Sequence, residues 1–378
     1  MVKTQFSALE LNYLIKELQS LILKNQKFLT NSKVDQIYHP SKKELVIQLY
    51  IPSKGKKILK IIAPKIFFLT EIKPQTTEPS QFCLFLRKHL LNSRLTSLKQ
   101  LQFERIVQFD FQTKDQTHSL IIELFSTGNI ILLKNNQILV AAEYQKWKQR
   151  TIAPKQIYSY PKKEFNFLEL KEKDLKTLLK TTNKENLVKC LAIELGLGGL
   201  FAEESCLLSK INKNKKPNQI TDQEIASLIK TFNILKTKKI SPQIVYKNNE
   251  IIDMIPFKLE FYKNLKQKSF KTYNQLLDFY FSREITIIQK QKFKLQLEKI
   301  QKIITKQKSD ISTLEKSIKE NKKKAEFVYQ NYNLIKDIIE QINKATKKYT
   351  WKEIKEKLKG HKIIKQINPK EKTIVLKL

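Results

Sequence analysis

The period of apolar residues changes several times along the chain. In "SALELNYLIKELQSLI", Leu9, Leu11, Leu14, Ile15, Leu18 and Leu21 recur on one helical stripe, and Ser7 is placed to cap its first turn. From Val34 to Thr70 the pattern becomes strand-like: "VDQIYH", "ELVIQLYI", "KKILKIIA" and "KIFFLTE" are separated by turn-forming "PSKK", "PSKGKK" and "APK". After the polar stretch "IKPQTTEPS", "QFCLFLRKHLL" predicts a second helix. Strand periodicity then returns in "RIVQFDFQ", "HSLIIELFS", "NIILLKN" and "QILVAAEY", linked by hairpin-type turns "STGN" and "KNNQ". These segments predict an α+β unit over residues 1–168, with helices against a largely antiparallel sheet. Its boundary is "YSYPKKEFNF".

Residues 169–240 read as helices only and hold three of the six glycines, in "LGLGG". Residues 241–282 combine strand-like "QIVYKNNEIIDMIPFKL" with the helical "SFKTYNQLLDFYFSRE", a segment expected to pack back on the first unit. From Leu297 to Ile342 apolar residues alternate in steps of three and four, with Gln307 and Asn321 as polar members. That spacing predicts a coiled-coil seam over residues 283–346, on one long helix. The remainder, 347–378, reads as a short helix ending at Gly360 and a two-stranded hairpin turned by "NPKEK".

Charge narrows the partners. With 72 Lys and Arg against 36 Asp and Glu, the formal net charge is +36. A compact chain with this imbalance repels itself unless a polyanion is near, so nucleic acid or an anionic membrane surface is the expected partner. Abundant Lys, Ile and Asn also fit an AT-rich genome, although glutamate has not risen with lysine. Cys83, Cys190 and Cys206 stand far apart with no CxxC pair, which argues against a zinc site or disulfide framework. No apolar run is long enough to span a bilayer, and "MVKTQFSALELNYL" lacks signal-peptide architecture, so a cytoplasmic location is expected.

Arginine is scarce, and three of the five fall between Arg87 and Arg105. Its planar fork grips phosphate or carboxylate through two parallel hydrogen bonds, as lysine does not. Two readings follow: a specific anionic contact, or buried ion pairs holding the fold.

The motifs, in their order, resemble those of the NFACT family of ribosome-associated quality-control factors. "SALEL" is similar to the family's SALDL, "LRKHL" with "FERIVQF" to its LRKHL and DRIV segments, and "LIIELFSTGNIILL" to its LELF-GNIIL hairpin. "ELGLGGLFAEESC" resembles its helix-hairpin-helix, while "AEFVYQNYNLI" and "WKEIKEKLKG" resemble the coiled coil and middle segment of archaeal members. The resemblance covers essentially the whole chain. Glu10 and Glu104 stand where the family usually has aspartate, so each carboxylate reaches one methylene further. The family's second coiled-coil helix and NFACT-R domain do not follow Leu378 here. Either the sequence is a fragment, or a separate protein supplies the NFACT-R domain in trans.

The resemblance implies no enzyme and no cofactor, but binding to tRNA and to the rRNA and proteins of an obstructed large ribosomal subunit, in support of nascent-chain tailing and rescue. The implied RNA contacts are Arg87, Lys88, His89, Arg94 and Arg105, with Glu10 and Glu104 orienting the guanidiniums. Gly196, Gly198 and Gly199 would offer backbone amides at a helix corner. Each has a purely structural alternative. His39, His118 and His361 read as structural. The N-terminal architecture also resembles DNA glycosylases, but Val2 and Lys3 stand where that chemistry needs an amine nucleophile and its acid. A DNA- or RNA-binding role unrelated to the ribosome is the alternative; an adhesin is disfavoured.

Overall fold

The computed structural model describes residues 5–22, 32–52, 55–74, 78–148, 150–160 and 163–377, with backbone only at 21–22 and 283–296. Val2, Lys3, Leu378 and the Leu21 side chain lie outside the described set. The chain divides into two compact units, 1–286 and 287–378.

The first unit is built on a nine-stranded antiparallel sheet. Its strands are β1 (Lys33–Ser41), β2 (Glu44–Ile51), β3 (Gly55–Ile62), β4 (Ile66–Thr70), β5 (Arg94–Gln100), β6 (Ile106–Gln112), β7 (Thr117–Glu123), β8 (Asn129–Lys134) and β9 (Gln137–Ala141). The spatial order is β4-β3-β2-β1-β5-β6-β7-β8-β9, two meanders whose first strands meet at Lys33 and Arg94. Hairpins between sequence neighbours explain why alternation was so legible here. Strand β5 is the exception. A register shift between Leu95 and Ser97 breaks its alternation, burying Leu95 and Leu98 three apart, and the sequence pattern missed it.

Helix α1 (Ala8–Ile22) opens with a reciprocal cap, in which Ser7 N–H and Oγ donate to Glu10 Oε2 at 2.8 and 2.9 Å. It is buried on two sides, not on one stripe. Leu11, Leu14, Ile15 and Leu18 join the sheet's core, while Ala8, Leu9 and Tyr13 enter a second core. Helix α2 (Gln81–Leu90) lies across β1, capped by Ser80. The second core is formed by α3 (Glu172–Thr181), α4 (Leu187–Ile193), α5 (Gly198–Leu208) and α6 (Asp222–Thr237). Between the cores runs a small sheet of β12 (Gln243–Lys247), β13 (Glu250–Ile255) and β14 (Lys266–Ser269). Its alternation serves both: Ile244 and Met254 face the sheet's core, Val245 and Ile255 the helical one. A short hairpin, β10 (Gln145–Trp147) and β11 (Arg150–Ile152), precedes the helices.

Helix α7 runs unbroken from Tyr273 to Gln330, merging two segments read separately from the sequence. Its first turns complete the first unit. The fully buried Tyr273 donates its amide to Glu17 Oε2 at 2.7 Å, and Asn274 N–H donates to Glu17 Oε1 at 2.8 Å. The Asn274 side chain accepts from Leu69 N–H at 2.7 Å and donates to Leu69 O at 2.9 Å, closing the edge of β4.

The expected single long helix over 283–346 is corrected. The helix breaks at Asn331, whose ψ is 17°, and α8 (Tyr332–Ala345) follows. The spaced apolar row of α7 is exposed, as at Leu297, Ile311 and Ile318. Ile342, by contrast, leaves that row and packs with Ile354, Ile364 and Ile367 of α9 (Trp351–Lys357) and the β15 (Ile364–Asn368) and β16 (Thr373–Leu376) hairpin. Gly360 takes φ 89° to turn the chain out of α9, as glycine permits. Among the described residues no helix is long and apolar enough to cross a membrane.

Candidate nucleic-acid interface

The turn between β5 and β6 carries "LQFER". Phe103 anchors it in the helical core against Phe167, ring centroids 4.9 Å apart. Gln100 ties the turn to α1, donating through Nε2 to Ala8 O at 2.9 Å and Glu104 O at 2.8 Å. Glu104 and Arg105 are thereby held in place, each half-buried. Facing them is the corner between α4 and α5. Leu195 and Leu197 are fully buried there, and the alternating Gly196 and Gly198 are part-exposed at the corner. Gly196 takes φ 69° and Gly198 φ 74°. A Cβ on Gly196 would stand 2.1 Å from Lys163 Nζ, and one on Gly198 3.4 Å from Ser7 Cβ. The left-handed φ favours glycine at both positions, and at Gly196 any side chain would also displace the Lys163 ammonium.

These segments enclose a cavity of about 420 Å³. Glu104, Arg105, Lys163, Gly196 and Gly198 form its polar wall, with Ile106, Phe125 and Ile193 on the apolar side. Lys163 Nζ lies 3.8 Å from Glu104 Oε1, and Arg105 Nη1 donates to Gln5 Oε1 at 3.0 Å. Burial raises the Glu104 carboxyl above its ordinary value, and Lys163 and Arg105 oppose that shift. Burial also lowers the Lys163 ammonium and the Arg105 guanidinium, which Glu104 partly restores. Two half-buried cations thus share one carboxylate. Arg105 makes that single hydrogen bond among the described residues, leaving most of its five donors for a ligand. An anion entering here restores what burial takes from both cations.

The other expected site residues fall elsewhere. Glu10 does not orient Arg87; its carboxylate closes the α1 cap. Arg87 donates through Nε and Nη2 to Ile37 O at 2.9 and 2.7 Å, locking α2 to β1, so the structural alternative describes it. Lys88 and Arg94 are exposed, while Gly199, open to solvent, adjoins the corner without lining the cavity. Lys163 was missed. It sits in "YPKKEF", read as a boundary, and only the fold brings it to Gly196.

His89 is half-buried, 4.6 Å from the Phe85 ring and 5.1 Å from His118. His118 is buried, with neither ring nitrogen hydrogen-bonded among the described residues. Burial, then cationic neighbours, lowers both pKa values below the ordinary 6.5. A folded-state value below the unfolded one means that the unfolded chain takes protons first. Stability is therefore expected to be full above about pH 6.5 and lost as pH falls through the depressed folded values. Urea melts from pH 7.5 to 5.5 test this. His118→Phe should flatten the profile, and an unchanged slope would refute the assignment.

Over residues 8–376 the chain matches the model for the NFACT N-terminal and middle domains, and it belongs to that family. It is 28% identical over 404 residues to the archaeal Rqc2 homolog aRqcH of Methanocaldococcus jannaschii, covering 100% of this chain and 58% of the relative. With the ribosome quality control complex subunit NEMF of Homo sapiens it shares 30% identity over 139 residues, 37% of this chain and 12% of that protein. The fold resembles the N-terminal part of the fibronectin/fibrinogen-binding protein of Streptococcus suis, with a TM-score of 0.58 and 22% identity over 74% of this chain and 100% of that one. The chain thus spans little more than half the length of the archaeal relative and far less of the human one.

Proposed function

We propose that the chain acts in ribosome-associated quality control as a cytoplasmic, non-catalytic RNA-binding factor, with tRNA and large-subunit rRNA as ligands. The observation that carries this is the cavity. It joins the turn bearing Glu104 and Arg105 to the glycine corner, two motifs far apart in sequence, around the Lys163–Glu104 ion pair with Arg105 as a second cation in the same wall. Family membership and the quality-control names of NEMF and aRqcH support the ribosomal context. Arg105 would grip a phosphate in bidentate fashion, Lys163 would add charge, and the amides from Gly198 onward would face the same anion. Arg94 and Lys88 extend the basic surface. The exposed apolar row on α7 is read as a seat for a second helix, in cis or in trans.

Filter binding of tRNA across a salt series tests the RNA reading. Affinity should fall steeply with salt, with a log–log slope of roughly −0.7 to −0.9 per phosphate neutralised. Arg105→Lys should weaken binding about tenfold, because a point charge replaces a fork. Lys163→Ala should reduce the salt slope by about one. Affinity indifferent to salt, or both variants binding as the parent does, would overturn the proposal. Equal competition by duplex DNA would favour the reading unrelated to the ribosome.

A further inference from the structure

The β10–β11 hairpin sits outside the cavity and is absent from the motifs above. It carries Trp147, 43% exposed, between the exposed Lys146 and Lys148. Directly across the ladder is Arg150, whose guanidinium carbon lies 5.3 Å from the Trp147 ring centroid. The same guanidinium is ion-paired with Glu123, itself buried, which also accepts a hydrogen bond from Tyr158 Oη at 2.8 Å. The indole is therefore backed by a cation that cannot swing away, and its outer part remains in solvent. The acids nearby are already neutralised: Glu123 by Arg150, and Glu143 by Lys43 at 2.7 Å. Phe125 links the hairpin to the cavity, since it lines that cavity and also lies 5.9 Å from the Arg150 guanidinium.

We propose that this hairpin is a second nucleic-acid contact, in which an unpaired base stacks on Trp147 while Lys146 and Lys148 meet the phosphates of the same strand. The inference rests on the RNA reading of the adjoining cavity and extends it to single-stranded segments. Lysines alone would suit any polyanion. The ring selects among them, because an acidic peptide offers no planar face and a duplex keeps its faces stacked inside. Stacking of this kind tolerates any base and strengthens binding by roughly 1–3 kcal/mol per ring, a fivefold to hundredfold effect.

The chain has two tryptophans, so Trp351→Phe leaves Trp147 as the single indole reporter. In the full chain carrying that change, a short unpaired oligoadenylate should quench the emission, saturating at the concentration where filter binding saturates. A duplex RNA of equal length should leave it unquenched. Trp147→Ala should weaken oligoadenylate binding about tenfold, and Trp147→Tyr should keep most of the affinity. Emission unchanged at saturation, or Trp147→Ala binding as the parent does, would overturn the inference. Arg105→Ala separates it from the cavity reading. If that variant weakens RNA binding while Trp147 stays silent, the hairpin inference falls alone. Quenching that persists while Arg105→Ala is without effect removes the cavity and keeps the hairpin. No binding of oligoadenylate to the parent overturns the hairpin inference, and no binding of tRNA either overturns both.

Discussion

Arg150→Leu is expected to destabilise the first unit by about 3–5 kcal/mol, the range for removing one partner of a buried ion pair. Glu123 is 2% exposed and is held by the Arg150 guanidinium and the Tyr158 hydroxyl. Without Arg150 a carboxylate would remain in an apolar setting built by Ile106, Ile121 and Ile152. Burial already raises the Glu123 pKa, and Arg150 opposes that rise. Its loss lifts the folded-state value further above the unfolded one. The deficit relative to the parent should then be largest at neutral pH and shrink in acid, because a raised acid loses stability as pH rises through its folded value. Urea denaturation of parent and variant at pH 7 and pH 5 measures this. Adding Glu123→Gln should recover part of the loss, and a double variant as weak as the sum of the singles would show that the pair is not coupled.

Asn274→Leu should cost roughly 2–6 kcal/mol, about 1–3 for each of two buried backbone groups left unpaired. The side chain it replaces pairs with both the amide and the carbonyl of Leu69 on β4, the edge strand of the large sheet. Leucine matches the volume and reaches neither group. Hydrogen exchange gives a local readout: the Leu69 amide should lose protection ahead of the β6–β7 amides at the sheet's centre. Equal protection in parent and variant would mean that another group covers the edge.

The two meanders were readable because each strand pairs with its sequence neighbour and its apolar residues either follow a period of two, as in β6, or fill the strand, as in β4 and β8. Strand β5 was not readable, since its bulge breaks that period. The α1 stripe was only half legible. Leu9 reads as one face with Leu11, Leu14, Ile15 and Leu18, but the helix sends Leu9, with Tyr13, into the helical core and the other four into the sheet's core. Four of the five polar-wall residues, Glu104, Arg105, Gly196 and Gly198, were legible in the sequence. Lys163 was not, because neither periodicity nor spacing marks a lysine that a loop carries to a distant corner. Arginine scarcity pointed to residues with fixed tasks, and the fold-holding reading has instances. Arg87 and Arg150 hold the fold, whereas Arg105 keeps most of its donors open. The break at Asn331 carries no proline or glycine and was invisible for that reason.

The contact between Glu17 and the first turn of α7 spans 256 residues for Tyr273 and 257 for Asn274. Synthesis proceeds from the N-terminus, so β4 is complete long before the asparagine that covers its edge has been translated. During that interval the nascent sheet presents an unpaired strand edge and an empty slot where Tyr273 and Phe281 will pack on Phe6. The first unit is sealed last, by its own most distal helix. Its folding rate is bound to the time needed to make and deliver that helix, and a polypeptide interrupted before Tyr273 would be left with its largest sheet open to pairing with other chains.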